Sequence, residues 1–480
     1  MKRREFITLS AVAAAGLLVG CGSNGSGLGG SNAGSQSSSK NQTAQKGNLP
    51  IPKLLKPTLK AGVNHYDLTL KNEKHTFFEG VQTDTFAINS TYLGPTLLLT
   101  DATEVSLNFT NQLDEPTTMH SHGMHVPASM DGTPHQVIEP NQTWSARYRV
   151  NQRACTNWYH PHFMGKTAEH VYKGLAGLII IEDDESKALD LPNRYGVDDV
   201  PLVLQDRIFS NGQIDYSPSM REIMHGYVGD TFITNGAIEP TFDAEAKELR
   251  FRILNGSNAS VYELGFKDGR SFKQIATDNS FLETPVSLTK LTLSPAERAE
   301  IVVDLSSDKG QELVLKEFKQ NKNFLTIKVT KDALITSTLP TMLTTLDKLN
   351  PQDAIKTRKF TLSGNRGTLQ INGKSMNMSR IDEVVNLDDV EIWEIENTMG
   401  MDHNFHIHAT HFMLIERNGS TNAVAENEKG YKDVAYLPAG ESMKFIVKME
   451  EYTDANTPYM YHCHFLEHED AGMMGQFTVV

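Results

Sequence analysis

One arrangement of residues occurs three times along this chain of 480 residues. A turn at Gly94-Pro95, Asn235-Gly236 or Asn372-Gly373 precedes a strand-like run ending in Asn: EVSLNFTN to Asn111, ELRFRILN to Asn255 and VEIWEIEN to Asn397. A proline turn at Pro140, Pro295 or Pro438 then introduces TWSARYRV, RAEIVVDL or SMKFIVK. Repetition on this scale marks tandem copies of one supersecondary unit. The runs are short, rich in Val, Ile, Thr and aromatics and broken by Gly, Asn and Pro, which predicts an all-β chain of sandwiches or barrels. The length is too great for a single core. Three units of Greek-key sandwich size are expected at residues 61–184, 194–333 and 355–480, with the acidic run Glu182 to Glu185 and the stretch Thr338 to Asn350 as connections.

The N-terminus reads differently. Arg3 and Arg4 precede an apolar stretch from Ile7 to Gly20, too short to span a bilayer comfortably, so residues 1–21 are expected to be a twin-arginine export signal. The stretch ends in Leu18-Val19-Gly20-Cys21, which resembles a lipobox and makes Cys21 a candidate lipid anchor. The expected location is the periplasm or cell envelope. Residues 22–60, rich in Ser, Gly, Asn and Gln up to about Leu49, are expected to form a flexible linker because they lack the apolar surface to order themselves. Of three cysteines, Cys155 and Cys463 remain beyond the signal, so stability in an oxidising compartment does not rest on disulfides. Cys155 reads as a small buried hydrophobe. A formal net charge of -14 disfavours polyanionic partners and excludes nucleic acid from the expected ligands.

Ten of the 17 histidines fall in four tight groups confined to the first and last units: His120-Ser-His122, His160-Pro-His162, His403-Asn-Phe-His406-Ile-His408, and His462-Cys463-His464 followed by His468. Residues at i and i+2 on a strand share a face, so each His-x-His presents two imidazoles to one place. Four such pairs in two distant units point to convergence on metal between those units. In His462-Cys463-His464 the alternation puts both imidazoles on one face and the thiolate on the other, so one tripeptide joins two metal sites. Cys463, His468 and Met473, with His403 as the second imidazole, make the His2Cys set with weak axial Met of a blue-copper site. One thiolate among so many imidazoles does not suit a structural zinc site.

These motifs resemble the four copper-binding motifs of multicopper oxidases, a group that includes laccases, bilirubin oxidases and bacterial copper-efflux oxidases. The resemblance covers nearly the whole chain beyond the linker. It implies three tandem cupredoxin-like domains and four copper ions. It assigns His403, Cys463, His468 and Met473 to a type 1 copper, and His120 and His406 to a type 2 copper. It assigns His122, His160, His162, His408, His462 and His464 to a type 3 pair. Electrons would pass from a reductant through Cys463 to dioxygen, and Asp131 and Glu469 match acids that relay protons in related enzymes. Asn404 stands where the third motif usually has Pro, which removes no ligand. Ser121 replaces an often larger residue, and its side chain is expected to point away from copper.

The run HCHFLEHEDAGMM is closest in appearance to copper-efflux oxidases, whose donor is often Cu(I). Met401 matches a substrate-copper methionine of that group, and Met399 stands where those enzymes tend to carry Asp. Met376 and Met378 are further candidates. The long Met-rich insert of that group is not present, which predicts an open type 1 edge that accepts phenols and aromatic amines as well as Cu(I). Two alternatives remain: a copper-resistance protein that binds copper without turnover, and a non-enzymatic cupredoxin protein of the cell envelope. His65, His75, His125, His135, His170, His225 and His411 belong to no motif and are expected to be surface or hydrogen-bonded residues, with His125, His135 and His411 close enough to support the clusters.

Overall fold

The computed structural model describes residues 42–333, 336–365 and 367–480. The expected signal, Cys21 and most of the linker lie outside the described residues.

The expectation of an all-β chain holds. Six sheets form three pairs, within residues 54–182, 199–332 and 356–479, and a two-stranded ribbon, Phe209–Ser210 with Gln213–Ile214, is bonded to the first pair through Thr83 and Asp84. Each pair encloses its own apolar core. Tyr66, Leu97, Phe109 and Ile179 lie in the first, Phe251, Ile253, Ile301 and Phe324 in the second, and Phe360, Trp393, Phe405 and Phe445 in the third. Thr143–Arg149 and Val390–Asn397 alternate buried and more exposed residues, as a half-buried sheet requires, whereas Cys155–His160, His403–Ile407 and Met474–Val479 are buried throughout.

The same pairing recurs in all three. Val63–His75 runs parallel to Glu104–Gln112, which is antiparallel to Thr143–Arg149. Asp199–Arg207, Glu248–Asn255 and Arg298–Asp304 repeat that pattern, as do Lys356–Asn365, Val390–Asn397 and Ser442–Lys448. The asparagine ending each middle strand explains the repeat. Asn111, Asn255 and Asn397 each donate to the carbonyl facing them across the sheet edge, at Ile138, Leu293 and Leu437, and each accepts from the backbone N–H two residues on. One amide side chain thereby closes the turn and fixes its distance from the proline turn that follows.

The preceding turn needs one correction. Asn235 and Asn372 sit at φ of 51° and 53°, each accepting from one backbone N–H and donating to the carbonyl two residues earlier on the neighbouring strand. In the first unit the same conformation and the same two bonds belong to Asn89, not to Gly94-Pro95. Gly94 serves packing instead, because a side-chain carbon there would meet the Tyr159 hydroxyl at 2.3 Å.

The end of the expected linker is also ordered into the fold. Leu49 is buried in the middle core, and Leu54–Leu55 and Thr58–Lys60 are edge strands of the first pair of sheets. Backbone pairing and apolar anchors at Leu49, Ile51 and Leu55 hold a segment whose composition reads as linker.

Candidate metal centres

Strand register brings the histidine pairs together. His120–His122 is antiparallel to Cys155–His160 with His120 opposite His160, and His403–Ile407 is antiparallel to Asp454–His462 with His406 opposite His462. Cross-strand neighbours on one face lie within reach of each other, so two pairs from each unit meet at the junction of the first and third sandwiches.

The eight imidazoles sort by geometry into three, three and two. His122 Nδ1 and His464 Nε2 lie 3.3 and 3.4 Å from His160 Nε2. His162 Nε2 and His408 Nε2 each lie 3.2 Å from His462 Nε2. Nε2 of His120 and of His406 meets no hydrogen-bonding partner among the described residues.

The outer nitrogens fix the tautomers. Nδ1 of His120, His160, His406 and His462 points at the backbone carbonyls of Asp131, Pro161, Asp433 and Cys463, at 2.7, 2.8, 2.8 and 3.0 Å. A carbonyl only accepts, so each Nδ1 carries the proton and each Nε2 turns its lone pair inward. Burial, reinforced by neighbouring imidazoles, holds His122, His160, His162, His408, His462 and His464 well below the ordinary pKa of 6.5. They are neutral at neutral pH, the form that binds metal. Buried lone pairs facing one another with no proton between them suit a set of metal ions and little else.

A second donor set lies on the other side of Cys463. His403 Nδ1, His468 Nδ1 and Cys463 Sγ form a triangle with sides of 3.0, 3.4 and 3.6 Å. Met473 is fully buried, and its N–H donates to the carbonyl of His468 while its own carbonyl accepts from the N–H of Cys463. Burial pushes the Cys463 thiol up to about 12, so a bound metal must displace a proton to obtain thiolate.

The open edge expected here is absent. His403 and His468 are buried, with Met399 Sδ 3.3 Å from His403 Nε2 and His468 Nε2 donating to the carbonyl of Met224 at 3.2 Å. Met224 belongs to a short helix, Met220–His225, capped by Ser219 and Glu222. The cover therefore comes from the middle sandwich, far in sequence from the motifs it shields. Met401 is half-buried and accepts from Asn397 through its carbonyl, at 2.9 Å. Met376 and Met378 are half-buried as well.

Both carboxylates singled out from sequence are buried against the imidazoles. Asp131 Oδ2 accepts from His408 Nδ1 at 2.7 Å, and the Asp131 carbonyl holds His120. Glu469 is 1% exposed, so it is no solvated acid. Its two oxygens lie 3.3 Å from His162 Nδ1 and His462 Nδ1, and burial raises its pKa well above the ordinary carboxylate value.

Two further residues support the site: Asp433, which no motif marks, and Asn404, which lies within the third histidine group. Asp433 accepts from His122 Nε2 at 2.8 Å, which turns His122 round so that its Nδ1 faces the group. Asn404 does more than leave the ligands in place: its Oδ1 accepts from His464 N–H at 2.6 Å and lies 3.6 Å from Cys463 Sγ. Its amide donates to Ser294 Oγ and the Pro295 carbonyl of the middle sandwich. Of the unassigned histidines, His125 and His411 hydrogen-bond the carbonyls of Ala409 and Gly123, immediately beyond His408 and His122. His135 bonds Gln476 and His170 bonds Thr117.

Residues 69–186 and 338–480 match two family models, each described as multicopper oxidase. The chain is 37% identical over 423 residues to the multicopper oxidase mco of Staphylococcus haemolyticus, covering 87% of this chain and 89% of that protein. It is 35% identical to the cell division protein FtsP of Sodalis glossinidius, covering 90% and 92%. Among solved structures it is similar to a laccase from Pediococcus acidilactici, with 34% identity, a TM-score of 0.86 and coverage of 92% and 95%.

Proposed function

Because the chain belongs to the multicopper oxidase family, we propose that it couples one-electron oxidation of a reductant to the four-electron reduction of dioxygen to water. The observation that carries this reading is the continuity of His462-Cys463-His464, whose thiol belongs to one donor set and whose imidazoles belong to the other. His403, Cys463, His468 and Met473 would hold a type 1 copper, His120 and His406 a type 2 copper, and the two imidazole triads a type 3 pair. Copper, when bound, supplies the one-electron redox chemistry and the place where dioxygen is reduced.

The chain's own groups do the rest. Cys463 links the sets through its peptide bonds to His462 and His464. Asp131 orients His408 and His120. Glu469, kept protonated by burial, holds a proton beside His162 and His462, where reduction of dioxygen consumes protons.

The covered type 1 edge bears on the donor. A thioether against His403 is a soft contact suited to Cu(I), and the helix Met220–His225 narrows the approach of phenols and aromatic amines, which we retain as the second class of donor. A role in copper homeostasis follows. We further propose export to the periplasm or cell envelope through Arg3-Arg4, with a lipid anchor at Cys21.

A second reading, a non-enzymatic cupredoxin protein of the envelope, draws on the identity to a cell division protein, FtsP, which carries no oxidase in its name. The ten histidines and Cys463, gathered into two buried donor sets, support the oxidase instead. Oxygen uptake by copper-loaded protein, with Cu(I) and a methoxyphenol as alternative donors, separates the readings. Uptake with either donor supports the oxidase; copper binding without uptake leaves a sequestering or structural protein.

A further inference from the structure

The middle sandwich contributes no imidazole to either donor set, yet one of its side chains reaches the back of the larger one. Arg298 begins the strand Arg298–Asp304 and is completely buried. Its Nη1 and Nη2 donate to Asp433 Oδ1 and Oδ2 at 2.8 and 2.5 Å, a bidentate pair. Nε donates to the Thr156 carbonyl at 3.0 Å and Nη2 to Asn157 Oδ1 at 2.9 Å, two residues of the strand that leads to His160. One guanidinium therefore ties all three sandwiches together.

Asp433 in turn sets two imidazoles in opposite senses. Its Oδ1 accepts from the N–H at His122 Nε2, leaving the Nδ1 lone pair facing inward, while its backbone carbonyl accepts from the N–H at His406 Nδ1, leaving the Nε2 lone pair inward. The two rings stack 3.8 Å apart at 10°, so a flip of one disturbs the other. Gly123, which follows His122 at φ 80°, leaves room for the pair: a side-chain carbon there would meet Asp433 Oδ2 at 2.5 Å and Arg298 Nη2 at 2.7 Å.

We propose that Arg298 is a positioning residue for the imidazole cluster, holding Asp433 so that His122 presents Nδ1 and His406 presents Nε2. Without the bidentate guanidinium the Asp433 carboxylate is free to rotate, and His122 would lose the acceptor that selects its tautomer. The inference rests on the copper reading of the site and adds to it a function for the sandwich that holds no ligand.

The test compares copper-loaded wild type, Arg298→Met and Arg298→Lys by copper stoichiometry, visible absorption of the blue site and near-ultraviolet absorption of the type 3 pair. The expected result is that Arg298→Met keeps the blue band and loses the near-ultraviolet band, while Arg298→Lys retains both. Nitrogen NMR of the metal-free proteins should find His122 protonated at Nε2 in wild type and a mixture of tautomers in Arg298→Met. Retention of both bands in Arg298→Met would overturn the proposal. So would parallel loss of both with the melting temperature, which is the signature of a general fold defect. If wild type develops neither band, the copper reading itself fails and the inference falls with it.

Discussion

Asp131 and His408 are 277 residues apart in sequence and 2.7 Å apart in space, the carboxylate of the first sandwich accepting from the imidazole of the third. Because the Asp131 carbonyl also holds His120, one residue supports imidazoles of two different groups. Replacing Asp131 by Asn keeps the volume but removes the charge. Partners of this kind are worth about 10–100-fold in activity or metal affinity. Asp131→Asn should therefore lower oxygen uptake on that scale while the blue absorption that the proposed type 1 set of His403, Cys463 and His468 would give stays at the wild-type level.

Glu469 is the other buried carboxyl, and its contribution should be separable from electron entry. Glu469→Gln preserves shape and removes the proton. Loss of a general acid costs on the order of a hundredfold or more. Steady-state oxygen uptake should fall accordingly, while anaerobic bleaching of the blue band by reductant should proceed at the wild-type rate. Equal slowing of both would show that Glu469 acts on the structure of the site and not on proton supply.

How much of this was legible in the sequence follows from the range over which each feature acts. Strand parity within three residues was enough to gather the imidazole pairs and to separate Cys463 from its neighbours. The repeat of Asn111, Asn255 and Asn397 was visible for the same reason, since each amide bonds its own turn. Asn89 was missed because Ser90 follows it where Gly follows Asn235 and Asn372, so the turn lacks its usual dipeptide. Asp433 and Arg298 were unreadable because their partners lie 311 and 135 residues away, and a lone acid or a lone arginine in a strand has no pattern. The helix over the type 1 edge was missed because it comes from the unit without ligands.

His170 gives the fold a pH dependence of its own. It is fully buried, packed against Phe86 and bonded to Thr117, and burial takes its pKa down to about 4. The unfolded chain binds a proton there below about 6.5 and the folded chain does not, so stability falls as pH drops from the unfolded value toward the folded one. The slope is about 1.4 kcal/mol per pH unit for this one group. The melting temperature of copper-loaded protein should therefore fall with pH between those limits, and His170→Gln should reduce the slope, leaving the share of His411, which burial also takes down to about 4.

Asn404 should matter to the blue site although it is no ligand. Asn404→Ala removes the acceptor for His464 N–H and leaves Ser294 and Pro295 without their partner. Leaving buried groups unsatisfied costs about 1–3 kcal/mol, so the melting temperature should drop. The reduction potential should shift as well, because the amide stands beside Cys463 Sγ and the environment of that sulfur tunes such sites. A redox titration with unchanged potential would confine Asn404 to bracing the sandwiches.

On the proposed reading electrons enter at the outer nitrogens of His403 and His468, so donor choice should be decided there. Met399 Sδ covers one and the Met224 carbonyl the other. Met399→Ala removes the thioether and opens the His403 edge without touching a ligand of either copper set. Two opposite changes should follow: slower oxygen uptake with Cu(I), for lack of a soft contact, and faster uptake with a methoxyphenol, for want of the obstruction. Their ratio is the informative quantity, since any loss of copper or of folded protein lowers both rates alike. A ratio equal to that of wild type would mean that Met399 only packs against the site and that the helix Met220–His225 alone governs access.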